Sequence, residues 1–454
     1  MLTEKAREYR KDHSRLHAGR LDKAYTLIRD MEYEYNADIG LAYASPVRGV
    51  WNIVHLGTLV PEGHQIYVCP TSCLRGVVLT TAEMGAMDKL STITVGEDNI
   101  LEGDMEEMLL EGTEQIIREL PEKPRMMMIF TSCIHHFMAV NYRRVYKILE
   151  RKYPEIDFID CYMDPIMRRT APVIPSLWRQ MHRVLKPSDQ KDPVQVNLIG
   201  NCFPHTGENC DLTALLKEKK IRYMELNSCG SYDEFLTMSR SACNFYFHNH
   251  ALKTVKDMEI RLGQPWMRLR PGYSYEEYEE DIKGAASLLG LDPPDQELCT
   301  QLRKETEDSV SRTLDLLGNT PVSIDYTAVD CPLELALYLS DHGFVVESVF
   351  IDVFTEREEI FNLLRETLPD LKIYQTAGWN IRQMERDHEG KVLCIGQKSA
   401  YFHNSDYFVN LVENAGLYGY RGIQALMEMI REAFTEKKPM RDLVQIKGWG
   451  CSCS

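Results

Sequence analysis

The chain has 454 residues, of which 44% are hydrophobic and 26% are charged, and this balance excludes an intrinsically disordered protein. Acidic residues outnumber basic residues by 68 to 52, a net charge of −16, which argues against nucleic acid as a partner. No run approaches the length of a membrane span and the charged N-terminus lacks a signal peptide, so we expect a cytoplasmic protein without a membrane partner. In that reducing compartment, the 13 cysteines are better explained as metal ligands or buried thiols than as disulfides.

Residues 1–35 are charged, with apolar residues at helical spacing. Leu16, Leu21, Leu27, Ile28 and Met31 are among them. The spacing predicts an amphipathic N-terminal helical extension that packs on the body or on a partner.

Residues 36–188 alternate short apolar runs with amphipathic ones. The pattern predicts strands at 64–68, 126–130 and 156–161, and helices at 104–120 and 140–153. Such a βαβα alternation is typical of a parallel sheet with helices on both faces.

The same alternation of predicted strands and helices begins again at residues 189–318 and at residues 319–454. The third segment ends in a long helix at 419–434 and a Cys-x-Cys tail, Cys451 and Cys453. The predicted fold class is therefore α/β, with three successive Rossmann-like parallel-sheet domains around a central crevice.

Two predicted strands of the first domain are followed at once by a small-residue turn and a cysteine. These are Cys69 and Cys133, and the carboxyl ends of parallel strands meet at one edge of a sheet. Two cysteines delivered to one crevice could hold a soft-metal cluster, although buried free cysteines are equally common. Cys73, one turn beyond Cys69, is either a third ligand or a core thiol.

Four residues are candidates for proton donation or ligand binding in the crevice. His248 and His250 follow an apolar strand of the second domain, where a histidine could donate protons to a bound substrate or merely begin a helix. Tyr418 and Arg421 are candidates for the same cavity, since arginine binds carboxylates and phosphates. No G-x-G-x-x-G fingerprint or P-loop is present, so we expect no nucleotide in this chain.

Six short motifs, spread over most of the chain, carry a resemblance to a known family. They lie at 40–45 (Gly-Leu-Ala-Tyr-Ala-Ser), 68–70, 95–103, 130–133, 263–266 and 419–422. Their order resembles one subunit of the nitrogenase component 1 family, which includes the molybdenum-iron protein, its cofactor-assembly relatives and tetrapyrrole reductases. The resemblance implies an iron–sulfur cluster at a subunit interface.

In that family each subunit typically offers three cysteines to the cluster. Cys69 matches the second and Cys133 the third, but Leu41 stands where the first is expected. Cys73 could replace the missing ligand, or a neighbouring chain could complete a 4Fe-4S cluster. The family's molybdenum-cofactor histidine corresponds to Tyr418, and Cys243 does not align as the cofactor's cysteine, so we expect no molybdenum cofactor.

The resemblance implies an oxidoreductase component. An identical or sister subunit would share the cluster, and an ATP-hydrolysing iron protein would supply electrons one at a time. A small-molecule or tetrapyrrole-like substrate would be reduced between the domains. Two alternatives are a metallocofactor assembly scaffold of the same fold and a binding or regulatory homologue that has lost the cluster.

Overall fold

The computed structural model describes residues 23–33, 43, 45–47, 49–163, 172–352, 354, 356–385 and 390–443. The predictions that concern Leu41, Cys451 and Cys453 fall outside these residues.

The segment after residue 22 begins with a strand. Strand β1 (Tyr25–Leu27) pairs antiparallel with Lys372–Tyr374 at the edge of the third sheet. At these residues the predicted N-terminal helical extension is wrong, while residues 1–22, 34 and 35 of that prediction lie outside the described part of the chain. Tyr and Thr favour strands, and the apolar residues at helical spacing pack differently, with Ile28 and Met31 buried in the main core.

The first sheet has four parallel strands in the order β3-β2-β4-β5. The strands are β2 (Gly63–Cys69), β3 (Leu90–Thr94), β4 (Met126–Thr131) and β5 (Asp157–Tyr162). The associated helices are α1 (Ile53–Thr58), α2 (Thr71–Glu83), α3 (Glu97–Glu102), α4 (Met105–Glu119), α5 (Cys133–Phe137), α6 (Tyr142–Lys152) and α7 (Val173–His182). Strands β2 and β4 are buried along their whole length, as expected for central parallel strands.

Helix α2 contains a glycine in its exposed middle turn. Gly76 has no neighbouring atom within 4 Å of the place where a Cβ would lie. Because alanine favours the helix, we expect Gly76→Ala to raise the free energy of unfolding by about 0.5–1 kcal/mol, measured by chemical denaturation. The matched control is Gly57→Ala in α1, whose Cβ would lie 2.2 Å from the Gln65 side chain and which should destabilise the protein. A destabilised Gly76→Ala variant would contradict this account of α2.

The second sheet also has four parallel strands, in the order β7-β6-β8-β9. They are β6 (Gln195–Ile199), β7 (Arg222–Met224), β8 (Asn244–Tyr246) and β9 (Trp266–Arg268). The helices that belong to this part of the chain are α8 (Asp211–Glu218), α9 (Tyr232–Leu236), α10 (Leu252–Leu262), α11 (Tyr275–Leu288) and α12 (Gln296–Leu317).

The third sheet has six strands in the order β1-β12-β11-β10-β13-β14, all parallel except β1. The new strands are β10 (Val322–Asp325), β11 (Val346–Phe350), β12 (Lys372–Tyr374), β13 (Leu393–Ile395) and β14 (Phe408–Val409). The helices are α13 (Pro332–Asp341), α14 (Glu358–Thr367), α15 (Gln397–His403), α16 (Gly419–Thr435) and α17 (Met440–Leu443). The chain runs outward from β10 to β12 and then returns to the other side at β13, so the topological switch point lies between β10 and β13.

Short 3-10 turns connect several elements. They lie at Ile28–Asp30, Met87–Lys89, Leu226–Ser228, Thr237–Arg240, Asn249–Ala251, Trp379–Gln383 and Glu413–Gly416. No helix in the described part of the chain is long and apolar enough to span a membrane. Three parallel sheets flanked by helices confirm the predicted α/β fold class.

Candidate functional site

Two cysteines stand at the carboxyl ends of neighbouring strands of the first sheet. Cys69 is the last residue of β2 and is fully buried, and Cys133 begins α5 directly after β4 and Ser132. The paired strands are parallel, with Val68 opposite Thr131, so both chains leave the sheet at the same edge. This register delivers the two cysteines to one place.

Cys73 completes what we call the three-thiol site, made of Cys69, Cys73 and Cys133. Cys73 lies in the first turn of α2, one helical turn beyond Cys69, and is exposed. The pKa of the Cys69 thiol is raised to about 12 by burial first, then by the neighbouring thiols of Cys73 and Cys133. The three thiols therefore lie close enough to interact.

His135 and His136 follow the third thiol in α5. The Ser132 backbone N–H donates to His135 Nδ1 at 3.4 Å, and burial lowers the pKa of His135 to about 4. His135 is thus a neutral side chain that caps its own helix, whereas His136 is exposed.

Exposed apolar side chains lie beside the three-thiol site. Phe137, the last residue of the helix that begins at Cys133, is 70% exposed, and Met138 is 39% exposed. Neighbouring large apolar side chains in contact with water are typical of a surface that another protein covers.

A cleft of about 1170 Å³ separates α2 from the carboxyl edge of the third sheet. Cys73 lines this cleft, so the three-thiol site lies at its border. The remaining α2 residues on this wall include Ser72, Gly76 and Thr80, which are spaced by one helical turn and so share a face. The sequence predicted a central crevice but not the residues that line this cleft, because its walls come from distant parts of the chain.

His248 and His250 follow β8 and lie where the second sheet meets the third. His248 Nδ1 is 2.6 Å from Asp330 Oδ2, and His250 Nε2 is 2.8 Å from the Gly200 carbonyl oxygen. The two imidazole rings stack, with centroids 5.2 Å apart. This pairing places a carboxylate of the third unit against a histidine of the second.

The two histidines differ in charge. Burial favours neutral His248, but the Asp330 carboxylate outweighs burial and the pKa of His248 is raised overall. Burial, followed by the neighbouring charge of His248, lowers the pKa of His250 to about 4. His248 is thus the proton-carrying member of the pair, and His250 is neutral.

Glu413 is a second carboxyl group, after Asp330, that interacts with His248 where the second sheet meets the third. We call this group of residues the junction. The Trp51 backbone N–H donates to Glu413 Oε1 at 3.2 Å. Burial raises the pKa of Glu413 to about 7, while the charge of His248 opposes the rise. A carboxyl group with a pKa near 7 can exchange a proton under physiological conditions.

The backbone around Glu413 is strained. Glu413, Asn414 and Ala415 have φ angles of 47°, 57° and 45°, which place three consecutive non-glycine residues in the left-handed region. Such strain is concentrated at functional sites. Asp330 and Glu413 were both missed by the sequence analysis, which had no pattern that linked either residue to His248.

Tyr418 and Arg421 make contacts elsewhere. The Tyr418 hydroxyl donates to Asp281 Oδ2 at 2.9 Å, and Arg421 Nη1 donates to Asp211 Oδ1 at 2.8 Å. Asp211 also accepts the Tyr420 backbone N–H, so it caps α16. The described residues that line the cleft do not include Tyr418, Arg421, His248 or His250.

One other group of side chains has the spacing of a single-ion site. Ligand atoms of Cys331, Glu334 and Glu356 lie within 4.8 Å of one another. Glu356 accepts the backbone N–H groups of Leu333 at 2.8 Å and Glu334 at 2.7 Å. The cap that Glu356 thereby provides for α13 accounts for its position.

The sequence profile described as nitrogenase component 1 type oxidoreductase matches residues 62–435. The chain belongs to this family. The nitrogenase component 1 type family generally binds iron–sulfur clusters, forms oligomers and works with an iron protein.

Solved nitrogenase structures share the fold of this family member. Nitrogenase Cp1 at pH 6.5 is 14% identical with a TM-score of 0.62, and the match covers 92% of this chain and 94% of that chain. Nitrogenase Cp1 at pH 5 is 9% identical with a TM-score of 0.54, covering 92% of this chain and 89% of that chain. No curated protein matched the chain significantly.

Proposed function

We propose that the chain is a nitrogenase-like redox component that holds a four-iron cluster at the three-thiol site and reduces a substrate bound in the adjacent cleft. The observation that carries this proposal is the convergence of Cys69, Cys73 and Cys133 at one edge of the first sheet. Family membership supports redox chemistry as the activity.

The donor set of the three-thiol site fits an iron–sulfur cluster. Thiolates are the usual ligands of such clusters, and the three thiols lie close enough to interact. Cys73 takes the role of the ligand missing at Leu41. A fourth ligand would come from a neighbouring chain.

A second subunit, identical or sister, would cover the site. Cys73 is exposed, and Phe137 and Met138 present apolar surface next to Cys133. A partner face on this surface would bury these side chains and supply the remaining ligand. The exposed thiol would then lie inside an interface.

The cleft is the proposed substrate site. A bound four-iron cluster supplies one-electron transfer at a potential set by burial and hydrogen bonds to sulfur. Cys73 belongs to the thiol site and also lines the cleft, so a substrate held there lies next to the source of electrons. An ATP-hydrolysing iron protein is the proposed electron donor, in keeping with the family.

Protons would come from the junction behind the cleft wall. Glu413 binds the backbone N–H of Trp51, and the neighbours of Trp51, Val50 and Asn52, both line the cleft. We propose that His248 and Glu413 store protons, with His250 packed on His248. Tyr418 and Arg421 would position α16 through their carboxylate partners.

Cluster retention tests the proposal against a scaffold role. The iron-loaded chain is reduced with dithionite, freed of reductant and mixed with oxidised methyl viologen. We expect the dye to be reduced while all iron stays on the chain. Transfer of the iron to an added apo-ferredoxin at a rate comparable to dye reduction would contradict the proposal and indicate an assembly scaffold.

A further inference from the structure

Helices α7 and α10 pack side by side and run in the same direction. Near their starts, the Trp178 ring stacks on His250 with ring centroids 6.0 Å apart. Near their ends, Arg261 of α10 donates at 2.8 Å to a backbone carbonyl oxygen just beyond α7. Arg179 follows Trp178 on α7, and Lys253 comes three residues after His250. The packing therefore brings two basic side chains, Arg179 and Lys253, next to each other.

No carboxylate balances these two cations. Helix α7 contains no acidic residue. On α10, Asp257 Oδ2 accepts a hydrogen bond from Arg261 Nε at 2.6 Å, and Glu259 Oε2 accepts one from Trp266 Nε1 at 2.8 Å. In the part of the chain that the structure describes, no acidic side chain forms an ion pair with either cation. This is unusual in a chain whose net charge is −16.

The two cations repel each other. The pKa of Lys253 is lowered first by burial and then by the nearby charge of Arg179. Both side chains are half-buried, so water and salt screen their repulsion less than at an open surface. An anion bound between them would replace this repulsion with two attractive contacts.

Two polar atoms beside the cations have no hydrogen-bond partner. Arg179 Nε is buried without an acceptor, and the same holds for the hydroxyl of Ser176, a residue that is 7% exposed. Ser176 lies three residues before Arg179, so the two side chains share a face of α7. Because buried polar groups in folded proteins are nearly always paired, these two donors indicate a bound group that accepts hydrogen bonds.

We propose that Ser176, Arg179 and Lys253 form an anion site that binds the phosphate group of a small soluble ligand. A phosphate group carries about −1.5 to −2 charge at pH 7 and balances two cations, whereas a carboxylate balances one. Its oxygen atoms accept charge-assisted hydrogen bonds from arginine and lysine. The described residues that line the cleft include none of the three, so the anion site is separate from the proposed substrate site and independent of the proposed function.

Calorimetric titration of the full chain with inorganic phosphate tests this inference in a buffer free of other oxyanions. Arg179→Gln and Lys253→Gln each remove one charge of the anion site, and Lys253→Arg keeps the charge. Arg312→Gln and Lys147→Gln are the matched controls. Both of these side chains are exposed, lie on α12 and α6, and form no ion pair with a described residue.

We expect the wild type to bind phosphate at a single saturable site. Arg179→Gln and Lys253→Gln should each weaken binding by about tenfold to 100-fold, since a hydrogen bond to a charged group is lost. Ser176→Ala should weaken it by about twofold to tenfold, because its hydrogen bond comes from a neutral group. Lys253→Arg and the two controls should bind phosphate as the wild type does. Absence of saturable binding by the wild type, or equal affinities of Lys253→Gln and Lys147→Gln, would overturn the inference.

Three further ligands define what the anion site recognises. Glycerol 3-phosphate that binds at least as tightly as inorganic phosphate would support a phosphate ester as the ligand, and weaker binding of the ester would support the free ion. Chloride that displaces phosphate at equal concentration would show general ionic screening and overturn the inference. A polyglutamate peptide that binds in an Arg179-dependent manner, when neither phosphate binds, would also overturn it and indicate an acidic protein partner.

Melting temperatures separate loss of the anion site from loss of the fold. Phosphate should raise the melting temperature of the wild type and of both controls, because a ligand that binds only the folded state stabilises it. The double variant Arg179→Gln/Lys253→Gln should melt cooperatively and show no such rise. A double variant that phosphate stabilises as much as the wild type would overturn the inference.

Discussion

Replacing Cys69 with Ala is expected to reduce the iron bound by the anaerobically purified chain to background. Cys69 is the fully buried member of the three-thiol site, and its thiol interacts with both of the others. Removing a residue that supports a metal ligand, without binding the metal itself, typically weakens metal binding by about 10–100-fold. Removing a ligand such as Cys69 should weaken binding by at least as much. Cys133→Ala should act in the same way. Iron and acid-labile sulfide analysis measures the effect.

Cys161→Ala is the matched control. Cys161 lies in β5 of the same sheet and is also a buried free cysteine, 2% exposed. It belongs to the packed core, so its replacement should leave the iron content unchanged. Equal iron in Cys69→Ala, Cys161→Ala and wild type would show that iron binds somewhere other than the three-thiol site.

The second large effect concerns Glu413 and pH. The pKa of Glu413 is raised from 4.5 to about 7 by burial, so the folded chain holds a proton there that the unfolded chain releases above pH 4.5. This contribution to stability is complete below pH 4.5 and is lost as pH rises through 7. A shift of that size corresponds to about 3 kcal/mol. His248, whose pKa is also raised, loses its contribution in the same direction.

Glu413→Gln keeps the shape of the side chain and cannot ionise. We expect the variant to match the wild type near pH 5 and to exceed its free energy of unfolding by about 2–3 kcal/mol at pH 8. Chemical denaturation at pH 5, 6, 7 and 8 measures the difference between the two proteins. The pKa of Glu356 is raised to about 8 mainly by burial, and this contribution is common to both proteins and cancels in the difference.

Glu428→Gln is the control for the pH series. The Glu428 side chain is 60% exposed and pairs with Arg431 on the surface of α16. Its replacement should leave the pH dependence of stability almost unchanged. The assignment of a buried, protonated Glu413 fails if the stability difference between Glu413→Gln and wild type is constant from pH 5 to pH 8.

Much of the fold was predictable because its central strands contain continuous apolar runs. Strands β2 and β4 are both fully buried: β4 is apolar up to its last residue, and β2 carries His64 and Gln65 before its apolar end. Their ends are marked by Cys69 and by Ser132 before Cys133. From the rule that parallel strands end at one edge, the sequence also predicted that these cysteines would meet.

The N-terminal strand could not be recognised in this way. Leu27, Ile28 and Met31 have the spacing of a helix face, but Tyr25–Leu27 instead completes the edge of a sheet whose partner strand is more than 300 residues later. Tertiary pairing overrode the local pattern.

The cleft and the junction depend on contacts between distant segments. Lys398 lines the cleft because the strand order of the third sheet brings the segment after β13 next to the segment after β10. Glu413 accepts the backbone N–H of Trp51, which is distant in the chain. Neither contact can be read from local spacing in the sequence. The sequence placed His248 near a crevice but had no means of pairing it with Asp330, 82 residues away.

The most direct test of the redox assignment is the iron and sulfide content of the anaerobically purified chain, together with an EPR spectrum after reduction with dithionite. We predict about four irons per chain or per dimer and the signal of a reduced cluster. A chain without iron and without an EPR signal, even after reconstitution with a candidate sister subunit, would contradict the account and leave the fold with a binding or regulatory role.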